Sequence, residues 1–460
     1  MANYNFRPTN REQSFLMPPS MKEWLPEDDL VWFVIDAVKQ IDLRPFYRKY
    51  RQDGKGNTAY EPAMMVTLLI YAYCLGVRSS RKIERLCQVD VGFRVIAGNQ
   101  GPDHSTLCRF RQGNRKHIGE LFTHILQLCA EAGLVKLGLV ALDGVKIKAN
   151  AALSANRGLS SIEKEVERIL QEAEEIDAAE DDLYGKGKRG DELPEELRER
   201  SSRLQRLQEA KEKLERKQDE EARQQEEMIR AREEEEKKSG KKKRGRKPKK
   251  PEEAVNTQTK ANITDPESRI MKKRTGYLQA YNSQLVVTED QIIIAADVTQ
   301  EENDKKQLHP MLQQAKAELK KAGVGKGIRT LLADAGYWSE KNIQAAEEDG
   351  PELLIATAKD WKQQKVFREM GAPRGRIPAG ISVRERMERK LRTKKAKERY
   401  KQRGWMVEGV IGQITDTRDC DQFMLRGEEM VRSEWRLIAG SHNLLKLWRS
   451  GKAKWRVETA

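Results

Sequence analysis

The chain has 460 residues, enough for roughly two or three domains and at least one large core. Lysine and arginine number 87 against 72 aspartates and glutamates, a formal net charge of +15, which favours a polyanionic partner such as nucleic acid but also suits a basic helical protein. Residues 1–19 hold no continuous apolar core of the signal-peptide kind, and the longest apolar stretch, Met64 to Val77, is too short to span a bilayer.

The five cysteines form no CxxC pair. A zinc site or a disulfide scaffold is therefore not expected, and the thiols read as small buried residues of a cytoplasmic protein. Residues 1–133 read as helical. An apolar helix spans Glu61 to Leu75 with Pro62 in its first turn, and Ser79 or Ser80 caps a second helix with Ile83, Leu86 and Cys87 on one face. A third helix follows Asp103 or Ser105 and carries Arg109, Arg111, Arg115 and Lys116. Short helices joined by polar turns suit a helix-turn-helix whose Arg109 and Arg111 meet DNA, and equally a helical bundle with a basic solvated face.

Residues 134–159 open with an extended apolar run that meets a carboxylate at Asp143. Lys146 and Lys148 lie just beyond, as phosphate contacts or as solvated lysines. Residues 160–251 form a charged insertion. Ile162, Val166, Ile169, Ala173 and Ile176 make a heptad seam, and a sparser seam of Leu197, Leu204, Leu207, Leu214 and Met228 follows Pro194, so an antiparallel helical hairpin is expected. The tail KKSGKKKRGRKPKKPEE resembles an AT-hook through Arg244 and Arg246, which would enter a minor groove. The usual Pro after the second Arg is displaced by Lys247, and a solvated linker binding DNA by charge is the favoured reading.

Residues 252–460 resume the strands. AYNSQLVV and QIIIAADVT pair as a hairpin, Lys305 to Ala322 is helical, GIRTLLAD is a strand ending at Asp334, Ser339 to Glu348 is helical, and PELLIATA is a strand. A basic linker, REMGAPRGRIPAGIS, leads to helical sequence from Val383 that carries Glu408, and EWRLIAGSHNLLKLWRSG is a last amphipathic helix. If the strands before Asp143 and Asp334 lie side by side, both carboxylates emerge at one edge of a mixed sheet, and Glu408 can face the same point. Three converging carboxylates repel each other unless a cation intervenes. An all-oxygen donor set calls for Mg2+, with Mn2+ as substitute, and two such ions about 4 Å apart serve in-line phosphoryl transfer. Singly, each residue has a plainer reading: an Asp after a strand is a turn or cap residue, and a Glu on a helix is solvated.

The segments PDHSTLCRFRQ, LDGVKIKANA, TDPESRIMKKRTGYLQAYNSQLVV, DVTQEENDKKQLHPML, LLADAGYWSEKN and VRSEWRLIAGSHNLLKLWR together resemble the DDE transposases of bacterial insertion sequences, of the insertion-sequence eleven-eighty-two type within the insertion-sequence-five superfamily. The resemblance implies an α/β, ribonuclease-H-like mixed-sheet catalytic core, an N-terminal all-α DNA-binding domain and a helical insertion after the first core strand. It implies a catalytic and metal-binding triad of Asp143, Asp334 and Glu408. Tyr400, Arg403 and Glu408 match the family's Tyr-Arg-Glu-Lys helix, with one residue more between Arg and Glu than usual and Thr415 in the Lys position. By this likeness Tyr400 and Arg403 hold backbone phosphates. Trp338 is a candidate for stacking on a splayed base, or a core residue. The implied activity is cleavage of element ends and joining of the 3′-hydroxyl to target DNA by a dimer or larger assembly. The alternatives are an inactive DNA-binding descendant and a metal-dependent nuclease without strand transfer.

Overall fold

The computed structural model describes residues 20–50, 58–169, 171, 195–239, 260–273, 276–345, 350–453 and 455. They fall into two compact units, one of Met1–Lys136, Leu319–Gly325 and Arg436–Ala460, the other of Leu137–Glu318 and Lys326–Trp435.

Helices α1 (Leu30–Lys39), α2 (Arg44–Tyr47), α3 (Pro62–Cys74), α4 (Ser80–Val89), α5 (Val91–Ile96), α6 (His104–Gly113) and α7 (Arg115–Glu131) build the first unit. From Met65 to Cys74, α3 is buried all round, the signature of a helix enclosed by others. Gly92 is where α5 meets α3, since a methyl group there would come within 2.5 Å of the Tyr71 hydroxyl. Asp103 caps α6 by accepting from the Thr106 amide at 2.9 Å. Ser79 precedes α4 without a side-chain capping bond. Cys74, Cys87 and Cys129 are buried free thiols in this unit.

The second unit is organised by β1 (Val140–Lys148). A small antiparallel ladder of β2 (Asn156–Gly158) and β3 (Lys260–Asn262) closes the root of the insertion. From it rise a helical segment over 159–169, α8, and the long α9 (Glu195–Ser239). Ile162 and Ile169 pack on Leu207, Ala210 and Leu214 together with Ala261. Glu163 pairs with Lys211 at 3.3 Å and Glu165 with Arg203, so the two helices run in opposite directions. Ala173 and Ile176 of the expected seam, and Arg244 and Arg246 of the basic tail, lie outside the described residues.

The main sheet adds β4 (Arg269–Lys273), β5 (Gly276–Thr288), β6 (Ile293–Thr299), β7 (Thr330–Ala333) and β8 (Glu352–Ile355). β5 runs antiparallel to β1, from Val140 opposite Thr288 to Lys148 opposite Ala280. On its other edge β5 pairs with β4 and β6, both antiparallel. On the other side of β1 come β7 and then β8, both parallel. This mixed sheet fits a ribonuclease-H-like core. One expectation needs correction: β1 does not end at Asp143 but continues to Lys148, because β5 supplies hydrogen bonds along its whole length.

After α10 (Leu308–Lys321) and α11 (Glu340–Gln344), the chain past β8 forms α12 (Asp360–Met370), α13 (Val383–Leu391) and α14 (Lys394–Arg403). The end of α12 occupies part of the stretch expected as linker. The last helix, α15, spans Glu428–Ser450. Within the second unit, its Trp435 is fully buried, donates from Nε1 to the Gln284 carbonyl at 3.1 Å and stands edge-on to Phe423. Among the described residues no helix is long and apolar enough to cross a membrane.

Trp435 locks the outer face of β5, so Trp435→Ala is expected to lower stability by about 3–5 kcal/mol, read as a reduced urea midpoint.

Candidate functional site

Leu142 of β1 lies opposite Ala333 of β7 in parallel register. The residue after each is an aspartate, Asp143 still within β1 and Asp334 just past the end of β7, so the register brings the two into the same neighbourhood. Asp334 also does what an Asp after a strand commonly does: its Oδ1 accepts from the Gly336 amide at 2.8 Å and caps the short turn Ala335–Tyr337.

Asp143 is mostly buried, with 17% of its side chain exposed. Its Oδ1 accepts from the Gly144 amide at 2.9 Å, and its Oδ2 from Arg403 Nη1 at 2.8 Å. Arg403 Nη2 also donates to Glu408 Oε1 at 3.1 Å. One guanidinium thus joins Asp143 to Glu408. Burial pushes the Asp143 carboxyl up to about 7; Arg403 opposes that shift and the charge of Asp334 adds to it. Burial works against the charge of Arg403, but Asp143 and the other nearby anions hold its value above the usual one.

The helix that carries Glu408 changes its winding to make this contact. After α14 ends at Arg403, Gly404–Glu408 is a π-helical turn, followed by one α-helical turn and a second π-helical stretch, Gln413–Thr417. Residues five apart diverge around an α-helix, whereas a π turn bonds i to i+5 and brings them together. The additional residue between Arg403 and Glu408 is absorbed in this way. Thr415 lies in the second π stretch and donates to the Ile411 carbonyl at 3.0 Å. Tyr400 Oη donates to the Ala333 carbonyl at 3.2 Å, tying α14 to the strand end that bears Asp334.

The sequence reading missed a polar network beneath the two aspartates. Asp304 Oδ1 accepts from Asn282 Nδ2 at 2.7 Å and from Gln284 Nε2 at 2.8 Å, and Tyr337 Oη donates to Gln284 Oε1. Burial first, then the charges of Asp304, Asp143 and Asp334, raise the Tyr337 hydroxyl well above its ordinary value. A methyl group on Gly144 would meet Asp304 Oδ1 at 2.8 Å, and one on Gly336 would meet Asp304 Oδ2 at 3.2 Å. The signal was present: each aspartate has a glycine within two residues, and a glycine beside a strand marks a close approach.

The remaining predicted residues are scattered. Arg109 is exposed on α6, with Nη2 3.4 Å from Thr106 Oγ1. Arg111 is corrected as a DNA contact: it is only 4% exposed and donates to the Arg78 carbonyl at 2.9 Å and to Ser80 Oγ, so its charge serves the interior of the first unit. Lys146 donates to the Lys272 carbonyl at 2.8 Å, and Lys148, two residues on and therefore on the same face of β1, is exposed. Trp338 is half-buried at the end of the turn that Asp334 caps. Among the described residues, no group of three or more His, Cys, Asp or Glu is placed to hold a metal ion.

The folded-state value of Asp143 lies above that of the unfolded chain, so the stability it contributes is full below about pH 4 and is lost as pH rises through about 7. In EDTA, the stability of Asp143→Asn relative to wild type should rise by on the order of a few kcal/mol between pH 4 and pH 8, measured by urea unfolding, on top of a pH-independent loss from the unpaired Arg403. Arg403→Gln strands the Asp143 carboxylate and should cost about 3–5 kcal/mol near pH 8 in the same measurement, and less in acid.

With this geometry in hand, two family models match the chain. Residues 19–113 match "Transposase domain (DUF772)", and residues 257–444 match "Transposase DDE domain". The second match contains Asp334 and Glu408, while Asp143 falls between the two matched segments. Neither the curated proteins nor the solved structures provide a match. The two family matches support a DDE-type transposase of the insertion-sequence-five-like kind.

Proposed function

We propose that this protein binds the ends of a mobile element of the insertion-sequence eleven-eighty-two type, cleaves them by metal-dependent hydrolysis and joins the freed 3′-hydroxyl to target DNA. The observation that carries this reading is that Asp143 and Asp334 each follow the last paired residues of adjacent parallel strands, Leu142 and Ala333, with Glu408 linked to Asp143 through Arg403. The donor atoms are all carboxylate oxygens, and Asp143 is mostly buried, with the charge of Asp334 close enough to act on it. Both features fit a hard divalent cation, Mg2+ first and Mn2+ as substitute.

Asp143 and Asp334 would hold the metal, with Glu408 completing the set. When bound, a pair of such ions activates the attacking oxygen and stabilises the leaving oxygen of an in-line displacement. Arg403 donates to both Asp143 and Glu408 and, with its planar fork of donors, can pass from carboxylate to phosphate as DNA arrives. Tyr400 fixes α14 against the end of β7, so the helix and Asp334 keep their spacing. The Asp304–Gln284–Tyr337 network braces the turn after Asp334 from below. Exposed Arg109 and Lys148 are backbone-phosphate contacts that set position without reading sequence. Trp338 is the residue proposed to stack on a base displaced at the cut. The unit spanning Met1–Lys136 supplies DNA binding, and the α8–α9 hairpin supplies the contact between copies when two ends are handled together.

The test is cleavage of labelled DNA carrying the sequences that flank the gene, with Mg2+, Mn2+ or EDTA. Metal-dependent cuts at a defined end are expected from wild type and only background from Asp334→Ala. Salt-sensitive binding without a cut, equal in both proteins, would overturn the catalytic reading in favour of a DNA-binding remnant. Cuts without joined products would reduce it to a nuclease.

A further inference from the structure

A cavity of about 440 Å³ opens beside Glu408 and extends away from the two aspartates. Its volume lies in the range of sites that enclose small molecules and is too small for a duplex. Phe367 and Leu391 give it an apolar side, and Arg368, Lys397 and Lys401 line it with cations. Among the described residues, none of these three cations has a carboxylate partner. A second hollow, about 360 Å³, shares Gln364 and Arg368 with it and is otherwise lined by Trp361, Lys365 and one carboxylate, Glu369. Trp361, Lys365 and Arg368 stand at steps of four and three along α12, so they share one face of that helix. Trp361 is 65% exposed, with Lys362 Nζ 5.2 Å from its ring centroid, so the ring offers a solvent-facing surface beside a cation.

Unneutralised cations alternating with aromatic faces are the chemistry that holds an unpaired nucleic-acid strand: cations take the phosphates, and bases of any identity stack on the rings. A purely apolar ligand would leave the cations unused, and a simple anion would leave Trp361 and Phe367 unused. We propose that the groove from Glu408 to Trp361 is a track for an unpaired DNA strand. One base seats against Phe367 and Leu391, its phosphates lie on Arg368 and Lys401, and the next base stacks on Trp361. The track deepens the transposase reading and rests on it for the source of the strand, which is DNA separated from its complement next to the cleavage point.

The full chain is titrated in EDTA against two fluorescein-labelled probes, a blunt duplex and the same duplex with a short unpaired thymidine tail, and binding is read by anisotropy. Wild type is expected to bind the tailed probe more tightly. Trp361→Ala should weaken tailed-probe binding by about fivefold or more, the lower end of base stacking, and leave the blunt probe unchanged. Arg368→Ala should also weaken the tailed probe and make its salt dependence shallower by about 0.7 in the log–log slope. Both side chains are exposed, so neither change removes core packing. Equal binding of the two probes by wild type, or a tail preference that survives in both variants, overturns the proposal. Preference for the tail in a protein that never cuts DNA with Mg2+ keeps the track and refutes the transposase reading; cutting without tail preference does the reverse.

Discussion

The site depends on one guanidinium. Arg403 is almost wholly buried and donates to Asp143 and Glu408 at once, from a helix to a strand and across a π-helical turn. Burying a charge is costly unless it is paired, and here the pairing sets both partners. Without it, Asp143 would face Asp334 across adjacent strands with no compensating charge, in a setting where burial already favours the protonated acid. The same bond determines where Glu408 points. The π turn, which an isolated helix would not choose, is held in place by the ion pair it makes possible.

The sheet supplies the other half of the arrangement. Parallel pairing of β1 with β7 fixes which residues are neighbours, and the antiparallel pairing of β5 keeps β1 extended past Asp143. Gly144 and Gly336 let the Asp304 network come up close beneath the two carboxylates, where any larger residue would displace it. The backbone near Asp143 and Asp334 is therefore specified on three sides: by strand register, by the capped turn after Asp334, and by the amide pair Asn282 and Gln284 gathered on Asp304. A site so braced does not need its residues close together in sequence. It needs only that the strands and the α14 helix cannot slide.

Much of this was legible in the chain itself. The alternation of apolar runs with charged helices announced a mixed sheet, the motifs along the chain pointed to a DDE-type transposase, and Asp143 and Asp334 stood out as the candidate carboxylates. Periods of two and near four reflect burial, and burial is written residue by residue. Capping residues such as Asp103 and Ser339 were also readable, because a helix start is a local hydrogen-bonding problem.

What only the tertiary structure decided were the pairings between distant residues. Nothing local distinguishes Arg111, turned inward onto the Ser80 hydroxyl, from Arg109, turned outward, although they stand two residues apart on one basic helix. The alternation Val145, Lys146, Ile147, Lys148 hints locally that β1 continues beyond Asp143, but the hydrogen bonds that hold it extended come from β5, more than a hundred residues away. Asp304 and Gln284 looked like ordinary polar residues until the sheet brought them under Gly144. The sequence by itself determined which segments would bury an apolar face and which chemical groups were available. Tertiary structure decided which of those groups meet, because hydrogen bonds and ion pairs act over a few ångströms in space and take no account of separation along the chain.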